Sequence, residues 1–152
     1  MNLIADIGNG TMNTLYMING KPQQGKMFTE KFGTYQCTLA VREAFMQKTQ
    51  RKINDAIIDE VLITSTANIA PADLKIIKSV AAEYVRDIFR RLREHGYDEN
   101  TMTLYVTGGG SCLVKNFYKF STDRVKFVED ICAAAKGYKY LAEAQMKAEA
   151  KG

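Results

Sequence analysis

Cysteine and histidine are scarce in this chain, and their scarcity closes off several kinds of chemistry. Cys37, Cys112 and Cys132 are the three cysteines among 152 residues, and His95 is the single histidine. They are scattered and include no C-x-x-C pair, so no strong zinc-binding pattern is present and a disulfide framework is disfavoured. All three thiols read as free and buried. No apolar run approaches the roughly 18 residues that suggest a membrane span. The stretch Met1 to Asp6 has neither the basic segment nor the small-residue cleavage site of a secretory signal, which points to the cytoplasm. A strong charge of one sign is lacking too: the net is +4, and much of the excess lies in Arg86, Arg90, Arg91 and Arg93 against Asp87. That stretch reads as a solvated helix face that also suits protein contacts, so neither a nucleic acid nor a membrane is expected as a direct partner.

What is present suits one compact domain. A hydrophobic content of 46% can fill a single core at this length. Leu3 to Ala5 reads as a short strand, and Thr11 to Ile18 as a second one closed by the hairpin signal Asn19-Gly20. Lys26 to Phe32 reads as a third strand. Gly33-Thr34 then marks the change to an amphipathic helix reaching about Lys48, capped by Thr34 or Thr38. Ile53 to Leu62 fits a short helix or a strand. Pro71 suits the first turn of a long helix that runs to His95, with Gly96 as its C′ glycine. Thr101 to Val106 reads as a buried strand, followed by a short helix over Leu113 to Phe117. A small strand around Val125 to Phe127 precedes a last helix from Ile131 to about Lys147, so the domain spans 1–146 with a frayed tail at 147–152. His95 meets the C-terminal dipole of its helix, and the methionines, Met12, Met17, Met27, Met46 and Met102 among them, read as core filler.

Two glycine loops carry the chemistry. Asp6-Ile7-Gly8-Asn9-Gly10-Thr11 places a carboxylate at a strand end, before glycines that let backbone N–H groups approach phosphate oxygens. Thr11 adds a hydroxyl donor. Asp6 repels phosphate directly, so it would act through a bound Mg²⁺ and its waters. The second loop, Thr107-Gly108-Gly109-Gly110-Ser111, joins a buried strand to a helix N-terminus, which favours an anion. Taken singly, each loop also fits a tight turn that binds nothing. Neither matches the spacing of a P-loop or of G-x-G-x-x-G.

As a pair, with Gly108 coming 102 positions after Asp6, the loops resemble a known family. The first is similar to the phosphate-2 motif of the actin and sugar-kinase superfamily, and Val106 to Ser111 is similar to its adenosine motif. Ala133-Ala134-Ala135-Lys136-Gly137-Tyr138 resembles the helix that follows the adenosine motif in plasmid-segregation actins, and the ParM/StbA group is the nearest in pattern. The resemblance covers essentially the whole chain and rests on about fifteen residues in the motifs themselves. It implies an α/β, ribonuclease H-like actin-type ATPase domain, the second of two, with a mixed sheet that opens on antiparallel hairpins and is flanked by helices.

The resemblance also implies a site. Asp6 would orient Mg²⁺ and serve catalysis, while Gly8, Asn9, Gly10 and Thr11 cradle the β- and γ-phosphates of ATP. Gly108, Gly109 and Gly110 would pack on the adenosine side, with Ser111 as a sugar or phosphate donor. Arg42 and Glu43 are candidates for the ribose. From the residues alone, Tyr138 and Tyr140 read first as core packing and second as flanking a helix under the nucleotide, and Lys136 reads first as an exposed helical lysine and second as a group approaching a phosphate or the base. Asn13 stands where some members carry an acid, which removes any charge-dependent role there. The family's phosphate-1 loop and its water-positioning residue belong to the first domain, and no second D-x-G loop occurs here. Alone, the chain is therefore expected to hydrolyse ATP poorly, because phosphoryl transfer needs groups on several sides. It reads as an excised domain, a truncation or a single-domain relative. The partners implied are the first domain, further copies in a filament, and an adaptor bound to plasmid DNA. A sugar- or acetate-kinase-like half and a non-enzymatic actin-like interaction module are the alternatives.

Overall fold

A computed structural model describes residues 1–130 and 133–151. Ile131, expected to open the last helix, and Cys132 lie outside the described residues, as do the side chains of Ala133, Ala134, Ala135 and Tyr138. The order of elements is β1 (Asn2–Ile7), β2 (Met12–Ile18), β3 (Lys21–Glu30), α1 (Thr34–Thr49), α2 (Asp55–Thr64), α3 (Pro71–Glu94), β4 (Thr103–Thr107), α4 (Ser111–Phe117), β5 (Val125–Phe127) and α5 (Ala133–Glu149). The strands form one mixed sheet in the order β3-β2-β1-β4-β5. The β1–β2 and β2–β3 pairs are antiparallel, whereas β1–β4 and β4–β5 are parallel.

Alternation along β1 decides which face is covered. Leu3, Ala5 and Ile7 are buried while Asn2, Ile4 and Asp6 point to the other side, as a period of two requires. Leu104 and Val106 continue the buried face on β4, and α1, α2, α3 and α4 cover it through Val41, Ile58, Val61, Ile77, Val85, Ile88 and Leu113. Each large aliphatic side chain removed from water in this way contributes roughly 1.5–3 kcal/mol before conformational entropy is counted.

Several local expectations change. β3 begins at Lys21 rather than Lys26, directly after the Asn19-Gly20 turn, where both residues have positive φ. It tolerates Pro22 because it is an edge strand, where a missing N–H breaks no ladder bond. Its register against β2 shifts between Leu15 and Met17, and the extra residues of β3 include Gly25 at φ +74°. Ile53 to Leu62 resolves to the helix α2, because Asn54 accepts the Ala56 N–H at 2.9 Å and caps it. α1 is capped by neither Thr34 nor Thr38. Gly33 holds the N-cap position, and Gln36 Oε1 accepts its N–H at 3.0 Å. α3 keeps its expected bounds: it starts at Pro71, and Gly96 at φ +94° ends it, where Gly96 N–H donates to the Arg93 carbonyl and Tyr97 N–H to that of Leu92. His95 is the C-cap residue, but its ring serves β3, stacking on Phe28 with Nε2 2.8 Å from Glu30 Oε1.

Two core assignments are corrected. Met12 is fully buried, whereas Met27 is 67% exposed, because its β3 register faces it away from the helices. Cys37 is buried but Cys112 is exposed, since α4 turns it outward while Leu113 and Val114 take the core positions. Among the described residues no helix is long and apolar enough to cross a membrane.

Candidate functional site

The strand pairing β1–β4 places the two glycine loops side by side. Because Asp6 is in register with Thr107, both strands end at the same level of the sheet and both loops leave from that end. The second loop is then bonded to the first: Gly110 N–H donates to the Ile7 carbonyl at 2.8 Å. Ligand positions at the carboxyl ends of parallel strands are a general property of open α/β sheets.

The glycines divide into two kinds. A Cβ at Gly108 would lie 2.4 Å from Asp6 Oδ1 and 2.6 Å from the Ile7 carbonyl oxygen, and one at Gly110 would lie 2.4 Å from Ile7 Cγ2. Gly108 also has φ +86°, a conformation that side chains disfavour. These two glycines are therefore needed where one loop packs on the other. Gly10 and Gly109 have nothing within 4 Å of a Cβ, so they offer open backbone. Gly33 belongs to the same assembly, although the sequence shows it only as punctuation. Its Cβ would meet the Asn9 carbonyl oxygen at 2.2 Å, which fixes the start of α1 against the first loop.

That contact orients the first loop. The Thr34 and Tyr35 amides at the start of α1 donate to the Gly8 and Asn9 carbonyls at 3.0 and 2.9 Å, and Gly8 N–H closes the turn onto the Thr11 carbonyl at 2.9 Å. With the Gly8, Asn9 and Thr11 carbonyls engaged, the amides of Asn9 and Gly10 donate to no acceptor among the described residues. Free N–H groups in a glycine-rich turn form an anion-accepting concavity. Asp6 projects from the sheet face opposite the core, half-buried between Asn13 and Thr107, and its carboxylate forms no hydrogen bond or ion pair among the described residues. A half-buried carboxylate without a partner fits a hard cation. No cluster of three or more His, Cys, Asp or Glu exists among the described residues, so a metal here would keep most of its ligands from water and phosphate. This fits Mg²⁺ held beside a nucleotide.

Beside the loops opens a cleft of about 250 Å³ between α1, α2 and α4. Asn9 and Gly109 bring one residue from each loop to its wall. Thr34, Thr38 and Asp59 form a polar side, and Leu62, Cys112 and Leu113 an apolar one. The Thr38 hydroxyl lies 3.3 Å from both the Thr34 carbonyl oxygen and Asp59 Oδ1, which holds that carboxylate at the rim. A cleft with an apolar wall, hydroxyls and an acceptor carboxylate suits a nucleoside. Gly8, Gly10, Thr11 and the remaining loop glycines sit at the strand ends, and Ser111 opens α4, all outside this cleft.

Other candidates fall elsewhere. Arg42 is engaged in a two-pronged pair with Asp55 at 2.6 and 2.5 Å, a geometry that holds the Asp55 carboxyl below the usual aspartate range. Glu43 lies along the groove between α1 and α3. Lys136 pairs with Asp130, and Tyr140 is 72% exposed. Tyr35, Thr38, Asp59 and Cys112 were not legible as site residues, because only the packing of α2 and α4 beside α1 brings them together.

The family model of the archaeal actin homologue MreB-like C-terminal domain matches residues 4–119. No curated protein sequence matches the chain. Among solved structures, an archaeal actin homologue superposes with a TM-score of 0.72 at 18% identity, covering 94% of this chain and 48% of that protein. Bacillus thuringiensis ParM with ATP gives 0.60 at 14%, covering 86% and 42%. The ParM filament from Clostridium botulinum gives 0.62 at 16%, covering 84% and 41%. The chain thus spans less than half the length of each, and at these identities the likeness shows the fold alone.

Proposed function

We propose, since this chain belongs to the MreB-like C-terminal family of archaeal actin homologues, that it is the nucleotide-gripping half of an actin-like ATPase whose activity is completed by a second domain. The observation that carries this is the junction of the two loops, where Gly110 bonds to Ile7 and Gly108 lies against Asp6 without a side chain. In this reading the free amides of Asn9 and Gly10 and the Thr11 hydroxyl receive the β- and γ-phosphates of ATP. Gly109 and the cleft beside it receive the nucleoside, with Asp59 accepting from its sugar hydroxyls. Asp6 holds Mg²⁺ through its water shell, and the metal neutralises the phosphates when bound. Ser111, at the start of α4, stands behind the second loop as a weaker donor. ParM, a structural neighbour, has been solved with ATP, AMPPNP and ADP and as a filament, which supports both nucleotide binding and self-association here.

The open side of the site follows from its construction. Both loops leave the same end of the sheet, so this half contacts a triphosphate from one side only. Closure by an opposing domain would supply the remaining phosphate contacts and position the attacking water. A cytoplasmic filament that segregates plasmids through a DNA-bound adaptor is the specific role we assign to the parent protein.

Titrating Mg-ATP while following backbone amide resonances tests the site. Asn9, Gly10 and Gly109 are expected to shift together, and Asp6→Asn should weaken the response to Mg-ATP more than to ATP without metal. Resonances that stay fixed at millimolar nucleotide would remove the binding claim for this half.

A further inference from the structure

The exposed side of α3 carries a charge pattern that the nucleotide site does not use. Glu83, Arg86, Asp87 and Arg90 follow the spacing i, i+3, i+4 and i+7, which sets them on one stripe about 10 Å long. Buried Val85, Ile88 and Phe89 occupy the other side of the helix. Glu83, Arg86 and Arg90 are exposed and Asp87 is half-buried. Within the chain Asp87 pairs with Arg90 at 3.1 Å, while Glu83 and Arg86 have no ion-pair partner among the described residues. Next to the stripe runs a groove of about 310 Å³ between α1 and α3, walled in part by Ala40, Ala44 and Val80. The rest of its lining includes the larger Glu43, Gln47 and Tyr84, so another helix can approach most closely at Ala40 and Ala44.

Along the stripe the signs run minus, plus, minus, plus. Read backwards they run plus, minus, plus, minus. A second α3 laid antiparallel, with its midpoint between Arg86 and Asp87, therefore meets opposite charge at all four positions. Glu83 faces Arg90 of the second copy, Arg86 faces its Asp87, and the two-fold axis repeats both pairs. The intrahelical Asp87–Arg90 pair then becomes part of an alternating network.

We propose that α3 and the adjoining groove form a two-fold interface through which two copies of this chain pair antiparallel. Such an isologous contact closes on itself, so it joins two molecules and does not propagate a polymer. Exposed ion pairs are individually weak and are screened by salt, so the pair forms readily only at low ionic strength. The inference goes beyond the nucleotide site and stands whether or not ATP binds.

Sedimentation of the full chain at low and high salt tests it, with Glu83→Arg and Arg90→Glu as separate variants. Each substitution sets like charges face to face twice, and should weaken dimerisation at least about tenfold. Circular dichroism checks that these exposed changes leave the fold intact. Mixing the two variants is the sharper measurement. In a mixed pair the two substituted positions face each other with opposite charge. The Glu83→Arg chain keeps Arg90 and the Arg90→Glu chain keeps Glu83, so the second contact is intact as well. The mixture should therefore dimerise about as tightly as the original chain and more tightly than either variant alone. A chain that is monomeric at low salt up to its solubility limit, single variants that dimerise like the original, or a mixture that stays monomeric would each overturn the proposal.

Discussion

Gly108 shows how much a single position in the second loop has to satisfy. Its φ of +86° strains any side chain, and a methyl group there would press on the Asp6 carboxylate and the Ile7 carbonyl. Gly108→Ala should therefore destabilise the fold by about 2–4 kcal/mol. Gly109→Ala, with open space around it, should stay within about 0.5 kcal/mol. Urea unfolding of the two variants separates them, and equal midpoints would contradict this account of the loop. The cysteines differ just as sharply. Burial pushes the Cys37 thiol up to about 12, while Cys112 is exposed in the wall of the cleft. In a Cys132→Ser background, a thiol reagent should modify Cys112 quickly and Cys37 only on unfolding. Saturating Mg-ATP should slow labelling of Cys112, and an unchanged rate would place the nucleotide elsewhere. In the sequence the three cysteines look alike, because nothing local tells a core position on α1 from a rim position on α4.

At the scale of elements, sequence patterns carry far where one periodicity persists and fail where two segments meet. The length of α3, its proline start and its glycine stop were all legible from spacing. The cap of α1 was not: Thr34 and Thr38 are better capping residues than Gly33 by type, but only a residue without Cβ fits against the Asn9 carbonyl. β3 looks shorter in the sequence than it is because Pro22 and Gly25 resemble turn residues, and only the edge position makes them tolerable in a strand. The connection from α3 to β4 gives a pH-dependent test. Asp98 accepts from the Asn100 N–H at 3.0 Å and the Thr101 hydroxyl at 2.8 Å, and these bonds hold its carboxyl below the usual value. A carboxyl lowered in the folded state stabilises fully above the ordinary aspartate range of about 4 and loses that contribution as pH falls through the depressed value. Asp98→Ala should thus lower stability at neutral pH and flatten the acid limb of a stability–pH curve. A limb of unchanged slope would show that the turn is not held by the ionised carboxylate.

At the scale of the whole molecule, the two loops were legible as a pair, but the reason they lie side by side is in the topology. The β1–β4 register joins segments about a hundred positions apart in the chain, and no local pattern states that register. The same holds for the cleft beside the loops, whose walls come from three helices and one residue of each loop. The fold is α/β and actin-like, so the general architecture was within reach of motif and spacing, whereas the residues lining the cleft were not. The parallel crossover also sets a schedule for biosynthesis. The first loop leaves the ribosome well before its counterpart, which is made only after α1, α2 and α3 have all emerged. Until β4 docks beside β1, Asp6 has no Gly108 against it and the grip does not exist. Closing so long a chain segment is slow and entropically costly, so the loop junction appears only in a nearly finished domain, and under the proposed function nucleotide binding would be a readout of completed folding.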